Sequence, residues 1–270
     1  MNRLAEGGLQ FWKYEGLGND FVVVEVADRA DITVDRARAL CDRRLGVGGD
    51  GVLLVLPPST AEAAGRMVVI NSDGSVPEMC GNGLRCVALH VARKRDLRSG
   101  ELLFDTDAGP RPCRIEDSAG EGLVTIDMGV VAFTGDVTLD AGGRRWELAL
   151  GDAGNPHAIT FQDANMDDIQ RAGHALATDP TFPKGTNVEF ARVTGPNAID
   201  VVVWERGVGL TQACGTGACA TVAVAIAKGH ARRNEEVTVT LPGGPLHITL
   251  NDAGHAIMRG PARHVFSGTA

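Results

Sequence analysis

Two short stretches decide how this chain is read: MCGNGLRC, residues 79–86, and ACGTGAC, residues 213–219. Each sets a cysteine before a Gly-x-Gly step at the mouth of an apolar run, and Cys214 follows Cys80 by 134 positions in a chain of 270. If the second stretch echoes the first, other segments should pair at a similar offset, and they do. Asn19 in GLGNDFVVV stands 136 positions before Asn155 in AGNPHAITF, and Asn71 in MVVINSDGS stands 134 before Glu205 in DVVVWERGVG. Gly49–Val52 and Gly185–Val188 match more loosely between them. Pairs that keep one order and nearly one offset indicate two halves of the same α/β design.

Each half has the same grammar. Runs rich in Val and Ile, such as residues 22–26, 52–56 and 67–70, read as strands between Gly, Asp and Asn breakers, and residues 158–161, 188–193, 199–204 and 237–241 repeat them. One long helix follows each cysteine. In residues 80–95 the apolar Leu84, Val87, Ala88 and Val91 recur at helical spacing. Residues 216–228 are apolar on nearly every face, yet about 13 residues are too few to cross a bilayer. Such a helix must be buried in protein, as a core wrapped by strands would bury it.

Composition excludes several classes. A net charge of −8 and no basic run beyond Arg93-Lys94-Arg95 leave no field for a nucleic-acid backbone. The N-terminal MNRLAEGGLQFWK lacks the apolar core of a signal peptide, and no stretch has the apolar length of a membrane span. The expectation is a soluble cytoplasmic protein. Six cysteines are too few for a disulfide scaffold, and their spacings are not those of a zinc knuckle. GVGGDG at residues 46–51 has the outline of a dinucleotide loop but runs into a strand where that motif needs a helix.

The chemistry follows from the two thiols. A Cys-Gly-x-Gly turn opening a helix points unpaired amides at whatever lies beyond the helix end, which suits an anion. A thiol placed there is expected to have its pKa lowered, making it a base near neutral pH. Two acid/base groups on opposite faces of one carbon are what racemisation requires, since one face loses a proton and the other regains it. Cys41, Cys86, Cys113 and Cys219 read instead as buried structural thiols. A thiol redox protein with a reversible Cys80–Cys214 disulfide is the rival class, but it leaves the paired Asn, Glu and Arg positions idle.

The motifs GLGNDF, NSDGS, MCGNGLRC, GNPH, GTNVEF, WERGVGLTQACGTGACA and LPGGPL resemble, in order, those of the diaminopimelate epimerase family, from Phe11 to about Gly260. The resemblance implies an α/β fold of two pseudo-symmetric domains, each a strand-wrapped central helix, with the active site in the cleft between them. The expected division is residues 1–123 with 260–270, and residues 124–259. It implies a cofactor-independent isomerase of the amino-acid racemase/epimerase class, acting in lysine and peptidoglycan precursor biosynthesis. It would take LL-2,6-diaminopimelate to the meso form with no metal, pyridoxal phosphate or nicotinamide, as a cytoplasmic homodimer. Cys80 and Cys214 would be the acid/base pair, and Gly81, Asn82, Gly215 and Thr216 would give amides to the reacting carboxylate. Asn19, Asn71, Asn155, Asn187, Glu205 and Arg206 would ring the substrate, with Arg206 on the distal carboxylate and Glu205 on an ammonium. His157 would orient its neighbours. Proline racemase and hydroxyproline epimerase share the paired cysteines but carry His where this chain has Asn82, and they are the alternative.

Overall fold

The computed structural model describes residues 8–270. Residues 1–7, part of the segment read as lacking a signal-peptide core, lie outside the described residues. The chain forms two compact units: one runs to Ile126 and takes in Gly260–Ala270, and the other is Asp127–Arg259.

The first unit contains β1 (Gln10–Gly16), β2 (Asn19–Glu25), α1 (Val34–Cys41), β3 (Gly51–Leu56), β4 (Gly65–Asn71), α2 (Gly81–Lys94), β5 (Gly100–Asp105), β6 (Arg111–Asp117) and most of β7 (Gly122–Val130). The second contains β8 (Ala132–Ala141), β9 (Arg144–Asp152), β10 (Pro156–Thr160), α3 (Met166–Ala177), β11 (Asn187–Gly195), β12 (Ala198–Glu205), β13 (Gly209–Leu210), α4 (Gly215–Ala227), β14 (Glu236–Leu241) and β15 (Gly244–Leu250). The last strand, β16 (His255–Thr269), starts in the second unit and ends in the first. Among the described residues no helix is long and apolar enough to cross a membrane.

In the first unit the strands run in the order β1-β2-β3-β4-β5-β6-β7-β16, and β16 also pairs with β1, from Gln10↔Thr269 to Glu15↔Arg263. The sheet thereby closes round α2, which touches β1 to β4 and β6 and is buried at every residue from Gly81 to Ala92. The outer face of β2, β3 and β4 is covered by Ala37, Leu40 and Cys41 of α1. Burial on both faces explains why Phe21–Val24 is an unbroken apolar run and not an alternating one.

The second unit repeats the plan, with strand order β16-β15-β14-β12-β11-β10-β9-β8. The all-round apolar α4 touches β8, β9, β10, β11, β14 and β15, while α3 packs Ile169 and Leu176 against Trp146, Leu148 and Phe190 on the outer face. The repeat holds in register. Parallel β2 and β3 align Phe21↔Gly51 and Val22↔Val52, and parallel β10 and β11 align His157↔Asn187 and Ala158↔Val188. Each residue of the first set corresponds to one of the second at the 136-position offset, so the loosest sequence match is a structural equivalence.

The expected structural thiols Cys41, Cys86, Cys113 and Cys219 are all buried. Burial pushes the Cys41 thiol up to about 11 and raises Cys86 and Cys113 further. A raised folded-state pKa favours folding while the unfolded thiols keep their protons, and that advantage is lost as pH rises through the folded value. Above pH about 8.5 the unfolded chain ionises first, so each such thiol costs roughly 1.4 kcal/mol per pH unit. The urea midpoint should fall steadily between pH 8.5 and 10.5, and a flat midpoint would contradict the burial of these groups.

Candidate active site

In the first unit Cys80 is the N-cap of α2. Its extended backbone (φ −139°, ψ 111°) turns the thiol back over the helix end, where Sγ accepts from the Gly83 amide at 3.4 Å. Gly81 and Asn82 form the first turn. The Asn82 side chain donates to Asn19 Oδ1 at 3.2 Å, and Asn19 Nδ2 donates to Asp50 Oδ2 at 2.7 Å. Asp50 and Asp20 are bridged by Arg43, at 2.9 and 2.6 Å, and the buried Lys13 holds Asp20 from the other side. Burial alone would raise the Asp20 carboxyl, but Arg43 and Lys13 outweigh it and hold the group below the usual carboxylate range. Charge-assisted bonds thus hold the Asn19 amide, and through it that of Asn82, two residues after the capping thiol. Asn71, at the end of β4, donates instead to Ser75 Oγ at 2.9 Å within its own NSDGS turn.

The second unit builds the same device. Cys214 caps α4 with φ −125° and ψ 107°, accepts from the Gly217 amide at 3.4 Å, and lies 3.5 Å from Thr216 Oγ1; Gly215 opens the helix. Asn187, at the start of β11, accepts the Arg206 amide at 2.9 Å, which pins the loop after β12. Glu205 accepts from the Thr211 hydroxyl at 2.6 Å, and the exposed Arg206 guanidinium donates to the Lys184 carbonyl at 2.6 Å. His157 is buried in β10, with Nδ1 2.6 Å from Glu189 Oε1 and Nε2 3.0 Å from Asn155 Oδ1.

One expectation needs correction. Cys214 is only 6% exposed, while Cys80 is half-buried. The lowered pKa expected of a helix-end thiol does not hold for Cys214, which is raised well above its ordinary value. Burial is the largest cause, followed by the negative charges of Glu205 and Glu189, and the bonds from Thr216 and Gly217 pull the other way without prevailing. Loss of water outweighs the helix end here.

Sequence reasoning also missed the residues that hold the others in place. Asp50, Lys13 and Arg43 look like ordinary surface charges in sequence and meet only through the fold. Glu189 did carry a signal: in NVEFA it is a charge set between apolar Val188 and Phe190, which are both buried, and it is itself 0% exposed.

With this geometry in view, the comparisons with known proteins are specific. The family model described as diaminopimelate epimerase matches residues 11–134 and 150–265. A protein named diaminopimelate epimerase from Desulforudis audaxviator is 44% identical, covering 96% of this chain and 98% of its own. One of the same name from Synechococcus elongatus is 41% identical, covering 97% and 98%. A solved structure, a probable proline racemase from Agrobacterium radiobacter, superposes with a TM-score of 0.74 over 97% of this chain and 92% of that one. At 17% identity that likeness shows the fold alone. Matched over nearly its whole length by the family model and by relatives at this identity, the chain belongs to the diaminopimelate epimerase family.

Proposed function

We propose that the chain interconverts LL- and meso-2,6-diaminopimelate, with Cys80 and Cys214 as the two acid/base groups. The observation that carries this reading is the duplicated N-cap: in each unit a thiol sits at the mouth of a buried helix with nearly the same backbone angles and the same 3.4 Å bond from the third helical residue. Inversion at an α-carbon needs one acid/base group per face, and the chain supplies a matched pair.

In the forward step a thiolate takes the α-proton. The C–H bond breaks, an S–H bond forms, and the electron pair moves into the carboxylate as an enolate. Amides of Gly81, Asn82, Gly215 and Thr216 stabilise that charge, as donors aimed at a developing anion do. The opposite thiol then breaks its S–H bond to make a new C–H bond on the other face, and nothing is oxidised or reduced. Asn19, Asn71, Asn155 and Asn187 line the substrate, and His157 holds Asn155. Glu205 takes the distal ammonium and Arg206 the distal carboxylate. The Lys184 carbonyl uses one of the five guanidinium donors and leaves others for a ligand. The family resemblance also supports a cytoplasmic homodimer, which light scattering on the purified chain tests.

Incubation with LL-diaminopimelate in heavy water should place deuterium at one α-carbon and yield the meso isomer. Exchange into proline with none into diaminopimelate would overturn the substrate in favour of the racemase. Arg206→Met removes a charge-assisted pair worth roughly 1.5 to 3 kcal/mol, so kcat/KM should fall about 10-fold to 150-fold. Unchanged diaminopimelate kinetics would remove Arg206 from the substrate ring.

A further inference from the structure

The two halves differ at one buried position next to their thiols. The third residue of each central helix is a glycine, Gly83 in α2 and Gly217 in α4, and each gives its amide to the capping sulfur. A Cβ added at Gly83 would lie 2.8 Å from Leu53 Cδ2 and 3.4 Å from Cys80 Sγ. A Cβ at Gly217 would lie 2.5 Å from Glu189 Oε1 and 3.2 Å from Cys214 Sγ. Leu53 on β3 and Glu189 on β11 are equivalent in register, for Leu53 pairs with Val23 as Glu189 pairs with Ile159. Both are 0% exposed. The fold therefore accepts a leucine at this place, and the second half puts a carboxylate there.

That carboxylate is costly where it stands. Oε1 is engaged by His157 Nδ1, whose side chain is as buried as that of Glu189, and Oε2 has no hydrogen-bond partner among the described residues. A buried, half-satisfied carboxylate destabilises a core that an apolar residue would fill without penalty. With leucine sufficient in the twin half, packing does not explain Glu189.

We propose that Glu189 is a positioning residue for proton transfer at Cys214, acting through His157 and through its own buried charge. It fixes the His157 ring by accepting a hydrogen bond from Nδ1 at 2.6 Å, and the ring in turn meets Asn155 at 3.0 Å. Its charge, pressed against Gly217, opposes ionisation of the thiol. Two charged groups act on Cys214 from the strands, Glu205 at the end of β12 and Glu189 on β11, and both hold the thiol in its protonated form; His157 on β10 is bonded to Glu189. This inference rests on the proposed acid/base role of Cys214.

The test is Glu189→Gln in the full chain, reading alkylation of Cys214 by iodoacetamide across pH, resolved by mass mapping of its peptide. Loss of the charge should move the alkylation profile to lower pH by about one unit, and kcat for diaminopimelate should fall about 10-fold to 100-fold with KM little changed. An alkylation profile superimposable on the wild type overturns the proposal, since a merely structural role would not hold the thiol's protonation. If Glu189→Gln does not fold, Glu189→Asp decides. It keeps the charge but shortens the reach to His157, so it should keep the wild-type alkylation profile and lose kcat, and wild-type kcat would overturn the proposal. A wild-type protein inert toward diaminopimelate would defeat the substrate reading alone and leave the alkylation comparison intact.

Discussion

Cys80→Ala and Cys214→Ala should each bring diaminopimelate epimerisation down to background, a loss of at least about 10³-fold. On the proposed mechanism one face of the α-carbon then loses its only acid/base group, and a positioned proton transfer alone is worth roughly 10²- to 10⁴-fold. Binding should survive, because Gly81, Asn82, Gly215 and Thr216 contribute backbone amides that neither substitution removes. The two variants should also fail differently. Either remaining thiol can still remove a proton from the face it serves, so each variant should exchange the α-hydrogen of one isomer with solvent far faster than it epimerises. Cys86→Ala and Cys219→Ala, buried and away from the helix ends, should lower stability and leave turnover nearly intact. Substantial epimerisation by either N-cap variant would end the two-thiol reading.

Gly217→Ala carries the second large effect. The new methyl would stand 2.5 Å from Glu189 Oε1, and that oxygen is held at 2.6 Å by a histidine with no room to move. The helix end has to shift instead, taking Cys214 with it, and a displacement near 1 Å costs on the order of 10²-fold in rate. Gly83→Ala is the contrast within the same molecule. Its methyl would meet the tip of Leu53 at 2.8 Å, a terminal methyl that can turn aside, so the loss should stay within about 10-fold. Equal losses in kcat from the two variants would show that the carboxylate adds nothing to the constraint.

Much of the fold was legible in the chain. The helices at Gly81–Lys94 and Gly215–Ala227 lie within a residue or two of where the apolar spacing put them, and the strands around Val22, Val52, Met67, Val188 and Ile199 were marked by β-branched runs between breakers. Local signals suffice where one segment carries both the pattern and its termination. Strands β8 and β9 were less legible because β8 is largely exposed and has no unbroken apolar run, Val137 and Leu139 being interleaved with Asp136, Thr138 and Asp140. At the site, glycines beside a cysteine were enough to find both helix ends. The direction of the Cys214 pKa could not be read the same way. It depends on how deeply α4 is buried and on Glu189 and Glu205 arriving from other strands, which are properties of the tertiary fold. Asp50 gripping Asn19 likewise depends on the pairing of β2 with β3.

The return of β16 to β1 bears on how the molecule is made. The second unit is one continuous stretch of chain, whereas the first takes its closing strand from Gly260–Ala270. On the ribosome, residues up to Ile126 emerge early, yet Gln10 cannot meet Thr269 until β16 has been made, after the whole second unit. The half synthesised later is therefore the first able to complete itself, and the earlier half must wait with an open sheet edge beside β1. Such an edge is a template for pairing with other chains. Removal of residues 261–270 should therefore speed hydrogen exchange at the β1 amides of the first unit while sparing the second, to which those residues are directly joined.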